Sequence, residues 1–261
     1  MDGSRALTML SLAMRRSLFA NAGTGAARRV GDRPAPIRRG LARILIGLLA
    51  IALIFPAIPV LAFRFLPPPV TPLMLIRAAE DGAPIHQRWV PLGRISPALV
   101  RAVIASEDER FCFHHGFDWK ELDAALQSWR RGHELRGAST ISMQTAKNLF
   151  LWPGRSLLRK AIEAYLTALI ELAWPKQRII EAYLNIIEWG DGIYGAEMAA
   201  QAHFGKSASA LSVNEAALLA AVLPNPRRWS PDRPTAYISE RAALIRARMP
   251  GLAVPTARGC G

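Results

Sequence analysis

The residues best placed to do chemistry lie in ASEDERFCFHHGFD, Ala105–Asp118. Three acidic residues stand in a row there, with Phe111, Phe113 and Phe117 close behind and His114, His115 and Gly116 among them. A carboxylate held against apolar rings keeps its proton longer than one in water, which is how proteins tune acids and bases. Ser96-Pro97 reads as a helix cap followed by proline at the first helical position, so PALVRAVIASE should form a helix ending near Glu107 and Asp108. The helix dipole disfavours a carboxylate at that end, which raises its pKa and improves it as a base near neutrality. Glu109 reads as a solvated neighbour, and the rings should keep the site partly dry. The competing reading is a polar helix end with Glu107 and Arg110 as a local ion pair, and spacing alone does not separate the two.

Two further stretches carry suitable side chains. In RGASTISMQTAKNLFL, Arg136–Leu151, a helix capped by Ser139 would place Thr140, Gln144 and Lys147 at i, i+4 and i+7. These three then lie within about 60° of one another, one face with a hydroxyl, an amide and an ammonium. That set suits a diphosphate or a sugar; an ordinary polar face would look the same. In RKAIE, Arg159, Lys160 and Glu163 share a helix face. Two cations there suit a phosphate-bearing leaving group, with a carboxylate to orient them or hold a divalent ion. The bland alternative is a surface i,i+4 pair worth a few tenths of a kcal/mol. His114 and His115 have no metal-ligand spacing with other His or Cys and read as structural.

The elements that must position these residues are mostly helical. DWKELDAALQSWRRG is amphipathic and stops at Gly132, and SLLRKAIEAYLTALIELAW carries an apolar stripe at 158, 162, 166, 169 and 173. Further helices are expected in KQRIIEAYLNIIEWG after Pro175, in SVNEAALLAAVL before PNP, and in TAYISERAALIRARM. No strand alternation stands out. Cys112 and Cys260 are the only cysteines, too few for a disulfide framework.

The net charge is +13. Residues 1–43 hold nine Arg against two Asp, so +7 of the excess lies in a basic tail read as disordered. Ile44–Phe63 follows without a charge, about the length of a membrane-crossing helix, with Pro56 and Pro59 predicting a kink near its far end. No small-residue cleavage site follows, which argues against a removed signal peptide. Positive residues stay cytoplasmic, so the N-terminus is expected inside and everything after Phe63 outside, which for a bacterium means the periplasm or the outer face of the membrane. Nucleic acid is then not an expected partner. Residues 64–88 read as a Pro-rich spacer, stiff and extended at LPPPVTP; 89–250 as the catalytic domain; 251–261 as a tail.

The ordered motifs resemble a known family. Glu107–Asp118 fits E-D-x-x-F-x-x-H-x-G-x-D at every fixed position, and GASTISMQTAKN resembles G-x-S-T-I-T-Q-Q-x-x-K-N. RKAIEAYLTALIELAWPKQRIIEAYLN resembles R-K-x-x-E followed by L-E, K and I-x-E-x-Y-L-N, and GDGIYGAEMAAQAHFGK and EAALLAAVLPNPRRWSP complete the order. These are similar to the motifs of the peptidoglycan glycosyltransferases, glycosyltransferase family 51, in their monofunctional biosynthetic transglycosylase branch. The resemblance implies a mainly α, lysozyme-like domain with a membrane-hugging part, behind one N-terminal transmembrane helix. It implies polymerisation of lipid II into β-1,4 glycan, with inversion at the donor sugar and release of undecaprenyl diphosphate. By the same likeness Glu107 is the general base, supported by Asp108. Glu163 is the second family glutamate, near the donor diphosphate. Lys147, Arg159 and Lys160 offset charge on the leaving group, and Ser139, Thr140, Gln144 and Asn148 line the site. A divalent cation, Mg2+ or Mn2+, at the donor diphosphate is compatible with the resemblance without being required by it. Lipid II, the growing strand and inner-membrane lipids are the implied partners, with other wall synthases and divisome proteins as candidates.

One departure stands out: Met143 replaces the first of two family glutamines, where a lost hydrogen bond of roughly 1 kcal/mol would weaken activity. Asn148–Gly154, NLFLWPG, is apolar enough to enter a lipid interface at Trp152, or to be ordinary core. Two rival readings remain: a lytic muramidase using one glutamate on a lysozyme-like fold, and a non-catalytic scaffold of the wall-building complex. The first does not require RKAIE and Lys147; the second rests on Met143 alone.

Overall fold

The computed structural model describes residues 36–133, 139–154, 156–256 and 259–260 of the 261. The basic tail read as disordered lies outside these residues up to 35, and so does Arg136–Ala138 of the second motif. The chain divides into two units, 1–50 and 51–261. Helix α1, Pro36–Ile54, begins eight residues before the expected Ile44 and runs through the unit boundary. After it comes α2, Ala57–Phe65. The segment Arg43–Phe65, 23 residues of mean hydropathy 2.8, is long and apolar enough to cross a membrane. The helical run is interrupted at Phe55–Pro56, where proline has no amide hydrogen to continue it.

The second unit is mainly α, in line with the expected fold class. After α2 its helices are α3 (Pro72–Asp81), α4 (Pro97–Glu107), α5 (Trp119–Arg130), α6 (Ile141–Phe150), α7 (Leu157–Ala173), α8 (Lys176–Ile186), α9 (Ala196–Phe204), α10 (Val213–Val222) and α11 (Ala236–Arg248). Two packing groups build it. In the first, α10 lies between α4 and α11, closing Ala216, Ala217 and Leu219–Val222 against Leu99, Val100 and Ala102–Ala105. In the second, α6 packs on α7 and α8. Small side chains on α10 allow close approach, and its Ser212–Glu215 capping box starts the helix where SVNEAALLAAVL predicts it.

Beside the helices runs a small sheet of β1 (His86–Gln87), β2 (Glu188–Gly190) and β3 (Ile193–Tyr194), ordered β1-β3-β2. β1 pairs parallel to β3, with His86 opposite Ile193, and β2 pairs antiparallel to it. Strands this short carry no readable alternation, which is why the sequence shows none. Asn185 clamps the incoming chain: its Oδ1 accepts from Val90 N at 2.8 Å, and its Nδ2 donates to Val90 O at 2.9 Å and Glu181 O at 2.8 Å. Gly195 follows at φ +83°, where a Cβ would lie 2.7 Å from Asn185 O, so only glycine fits.

Two boundary expectations are corrected. Residues 64–88 are more than a Pro-rich spacer: beyond LPPPVT, α3 and β1 lie within them, and Met74 is fully buried. Thr71-Pro72 starts α3 by the same device as Ser96-Pro97, the Thr71 hydroxyl accepting from Met74 N at 3.3 Å. Nor is 251–261 a free tail. Strands β4 (Pro255–Thr256) and β5 (Gly259–Cys260) pair antiparallel and pack on α8, and Cys260 is disulfide-bonded to Cys112 with Cα atoms 5.7 Å apart.

Candidate active site

The helix opened by Ser96 ends as expected, with Glu107 its last residue and Asp108 its C-cap. Glu107 faces a cleft of ≈ 550 Å3 also lined by Glu109, Arg110, Glu121, Ser139 and Arg248. Its Oε1 accepts from Ser106 Oγ at 3.1 Å and its Oε2 from Gln144 Nε2 at 2.9 Å. The local ion pair with Arg110 does not form; Arg110 Nε instead donates to Asp118 Oδ2 at 2.9 Å. Glu109 is exposed and faces Arg248 at 3.4 Å.

Asp108 does a different job from its neighbour. It is buried, within 2.9 Å of His114 Nε2, and its Oδ2 accepts from Ile141 N at 2.9 Å. It therefore joins the end of α4 to the first residue of α6, with His114 as its side-chain partner. Gly116 lets this turn pass α7: at φ +89° a Cβ there would lie 2.9 Å from Thr167 Cγ2 and 3.1 Å from Glu171 Cγ. The aromatic surround is only partly as expected, since Phe111 is fully buried while Phe113 is exposed.

On α6 the cap is Thr140, not Ser139. Thr140 Oγ1 accepts from Met143 N at 3.1 Å and donates to Gly116 O at 2.6 Å, so this hydroxyl holds backbone. Ser139 lies on the cleft wall within 3.4 Å of Lys160 Nζ. Asn148 is buried on the same helix. Met143 is also buried, and the contact to Glu107 comes from Gln144, so the methionine does not break that hydrogen bond. Lys147 is half-buried, and desolvation lowers its pKa from 10.5 against the opposing pull of Glu163. It also feels Arg159, Lys160 and Glu107.

The expected apolar stripe of α7 packs on the core at Ile162, Leu166, Leu169 and Ala173, and a second buried face beside it carries charge. Arg159, Glu163, Leu166, Thr167 and Ile170 are buried, while Leu158 is exposed. Charges can lie inside because they are paired: Arg159 Nη1 donates to Glu163 Oε2 at 2.6 Å, and Lys160 Nζ to Glu163 Oε1. Arg159 Nε is buried without a hydrogen-bond partner among the described residues. Of NLFLWPG, Leu149 and Leu151 are core, Phe150 stacks on Phe63 at 6.1 Å, and only Trp152 among its large apolar side chains is exposed.

Sequence reasoning missed Tyr183. It sits fully buried on α8, and its hydroxyl donates to Gln144 Oε1 at 3.2 Å. The only signal was the tyrosine in IEAYLN, which reads as core.

The donor set does not suit a divalent cation at the cationic end. Both oxygens of Glu163 are engaged by Arg159 and Lys160, and three cations already supply the positive charge. Elsewhere, oxygens and a nitrogen of Asp108, His114 and Asp118 come within 4.8 Å of one another. Their hydrogen bonds hold the protein itself: Asp108 takes His114 and Ile141 N, and Asp118 takes Arg110 and the first amides of α5.

One cleft thus holds a hydrogen-bonded glutamate, and Lys147 relates it to a second glutamate bound to two cations. A family model described as Transglycosylase matches residues 75–250. The chain belongs to the Transglycosylase family. Among its curated relatives is a biosynthetic peptidoglycan transglycosylase of Rhodospirillum centenum, 61% identical over 211 residues, 81% of this chain and 90% of the relative. Another, of Caulobacter vibrioides, is 51% identical over 209 residues, 80% of this chain and 91% of the relative. The Transglycosylase match begins inside α3, which agrees with the packed start of the domain rather than with a boundary at Trp89.

Proposed function

We propose that this chain is a peptidoglycan glycosyltransferase that polymerises lipid II into β-1,4 glycan strands. The observation that carries the reading is the pairing of Glu107, open to the cleft and held by Ser106 and Gln144, with the Lys147–Arg159–Lys160–Glu163 group. Glu107 takes the proton of the acceptor sugar's 4-hydroxyl as that oxygen attacks C1 of the donor. The bond from C1 to the diphosphate oxygen breaks on the opposite face, so an α-linked donor gives a β-linked product. Lys147, Arg159 and Lys160 offset the negative charge that grows on the departing diphosphate. The Nε of Arg159, which has no partner among the described residues, adds a donor at that end. Glu163 holds the two cations in place, and Asp108 supports Glu107 by fixing the turn that follows it. Ser139, Gln144 and Asn148 border the substrate, while Thr140 acts through the backbone.

The apolar segment Arg43–Phe65 anchors the chain in the bacterial inner membrane, with the arginine-rich N-terminus cytoplasmic and the domain periplasmic. Its substrate is then a lipid of the same membrane, and other wall synthases share that location. The test is to incubate the detergent-solubilised full chain, wild type and Glu107→Gln, with labelled lipid II and to resolve products by length. Polymer from wild type alone is expected. Polymer from both variants would remove Glu107 as base. Cleavage of preformed glycan would favour the lytic reading, and no reaction from either would favour the scaffold.

A further inference from the structure

We propose that Tyr183 positions the base: its hydroxyl orients the Gln144 amide so that nitrogen, not oxygen, faces Glu107. The three side chains come from three helices and form one line. Tyr183 on α8 donates to Gln144 Oε1 at 3.2 Å, and Gln144 on α6 donates through Nε2 to Glu107 Oε2 at 2.9 Å at the end of α4. An amide has a donor end and an acceptor end of nearly equal shape. Facing a carboxylate, the donor end favours the charged form, and the acceptor end demands a proton on the acid. Something must therefore choose the end. A phenol presents a single proton, and this one is fully buried with its ring packed into the core. Burial, and after it the charges of Glu107 and Asp108, push its pKa well up, so it stays a donor at working pH. Donating to Gln144 fixes which end of the amide points outward.

The other charged groups around Glu107 do not substitute for this line. Lys147 on α6 acts on it through space, and Asp108 is turned to His114 and Ile141 N. On the cleft wall Arg110 is bound to Asp118, and Glu109 faces Arg248 of α11. Glu121 of α5 also lines the cleft. Tyr183 itself touches no cleft surface, so it is a positioning residue.

The inference rests on Glu107 acting as the base, and the experiment separates the two claims. kcat/KM for lipid II polymerisation is measured against pH for the full-length chain, as wild type, Tyr183→Phe, Gln144→Ala and the double variant. With the tyrosine proton gone the amide can flip, and the acidic limb of Tyr183→Phe moves up by about one pH unit. Gln144→Ala moves the limb as well, and adding Tyr183→Phe to it moves the limb no further. A Tyr183→Phe profile parallel to wild type, however low, overturns the proposal, because a purely structural defect lowers the whole curve. A further shift in the double variant also overturns it. Should Tyr183→Phe fail to fold, a fluorinated tyrosine at 183 keeps the ring and sharpens the donor; the limb then moves down, and an unmoved limb overturns the proposal. Polymerisation by Glu107→Gln at the wild-type rate would fail the base assignment first. An inactive Glu107→Gln with an unmoved limb in Tyr183→Phe fails the orienting role alone.

Discussion

Lys147 shows the conflict that a site for anionic substrate builds into single residues. Its ammonium is partly withdrawn from water, and desolvation outweighs the pull of Glu163, so its pKa in the folded chain lies below 10.5. The sign follows directly: when the folded pKa is the lower one, the charged form costs stability. That cost is complete below the folded pKa and fades as pH rises toward the unfolded value. Lys147→Met is therefore expected to raise the thermal unfolding temperature at pH 7, with the gain shrinking by pH 10, while polymerisation is lost. Unfolding scans at both pH values check it, and a variant less stable than wild type at pH 7 would contradict it. Met143 and Gln144 make the complementary case. Gln144→Ala removes a hydrogen bond to a charged group, worth about 1.5–3 kcal/mol, and should lower kcat/KM roughly tenfold or more. Met143→Gln should leave it within about threefold, since Gln144 already serves Glu107. Initial polymerisation rates decide, and a large gain from Met143→Gln would show that the family's first glutamine has a substrate contact the neighbouring Gln144 does not supply.

Helix α5 depends on its first turn more than the other helices do. None of its residues is buried, so little packing holds it. Its start is capped by Asp118, whose Oδ1 accepts from Lys120 N at 3.1 Å and Glu121 N at 3.2 Å while Oδ2 takes Arg110. Asp118→Ala should cost about 1 kcal/mol of local stability, read as faster amide exchange across 119–130, and Asp118→Asn should keep most of the cap. Equal exchange in all three chains would mean that the cap does not limit the helix. Legibility followed the same physics. Ser96-Pro97 and Ser212–Glu215 announce their helices because a cap needs only neighbours in sequence, and both helices begin where read. Thr71-Pro72 carries the same signal, but it closes a proline run, so the helix behind it stays hidden until α3 and the burial of Met74 reveal it. Ser139 and Thr140 are two adjacent hydroxyls of equal local merit; the carbonyl of Gly116, distant in sequence, selects Thr140. On α7 the spacing of RKAIE places Arg159, Lys160 and Glu163 on one face, but only the fold shows that this face is partly buried, with the two cations sharing the Glu163 carboxylate. Glu107, Lys147 and the RKAIE group were legible as residue types at a spacing, whereas Tyr183 was not, because its contact crosses between helices.

For the whole molecule, the Cys112–Cys260 bond ties the chain's end to the turn that carries the site. Two cysteines were too few to read as a framework, but they close a loop over a sequence separation of 148 residues. The bond joins β5 to the turn Phe111–Phe113, immediately before the His114 that holds Asp108. Beyond the general entropy of a long loop, the bond thus bears on the path from Asp108 to Ile141 and on the seating of α6. Disulfides persist in oxidising compartments, which fits the periplasmic orientation proposed for this domain. Loop entropy puts an upper figure of about 5 kcal/mol on a closure of this size, and typical bridges give roughly 2–4 kcal/mol. Replacing both cysteines by serine should lower stability by an amount in that range. It should also slow polymerisation at temperatures well below unfolding, because the turn behind Glu107 loses one of its ties. Thermal unfolding and initial rates of Cys112→Ser/Cys260→Ser against wild type test the two effects separately. Lower stability with an unchanged rate would make the bridge a brace for the C-terminal hairpin only, and a wild type indifferent to reductant in both measurements would show that the bond holds nothing the packing does not already hold.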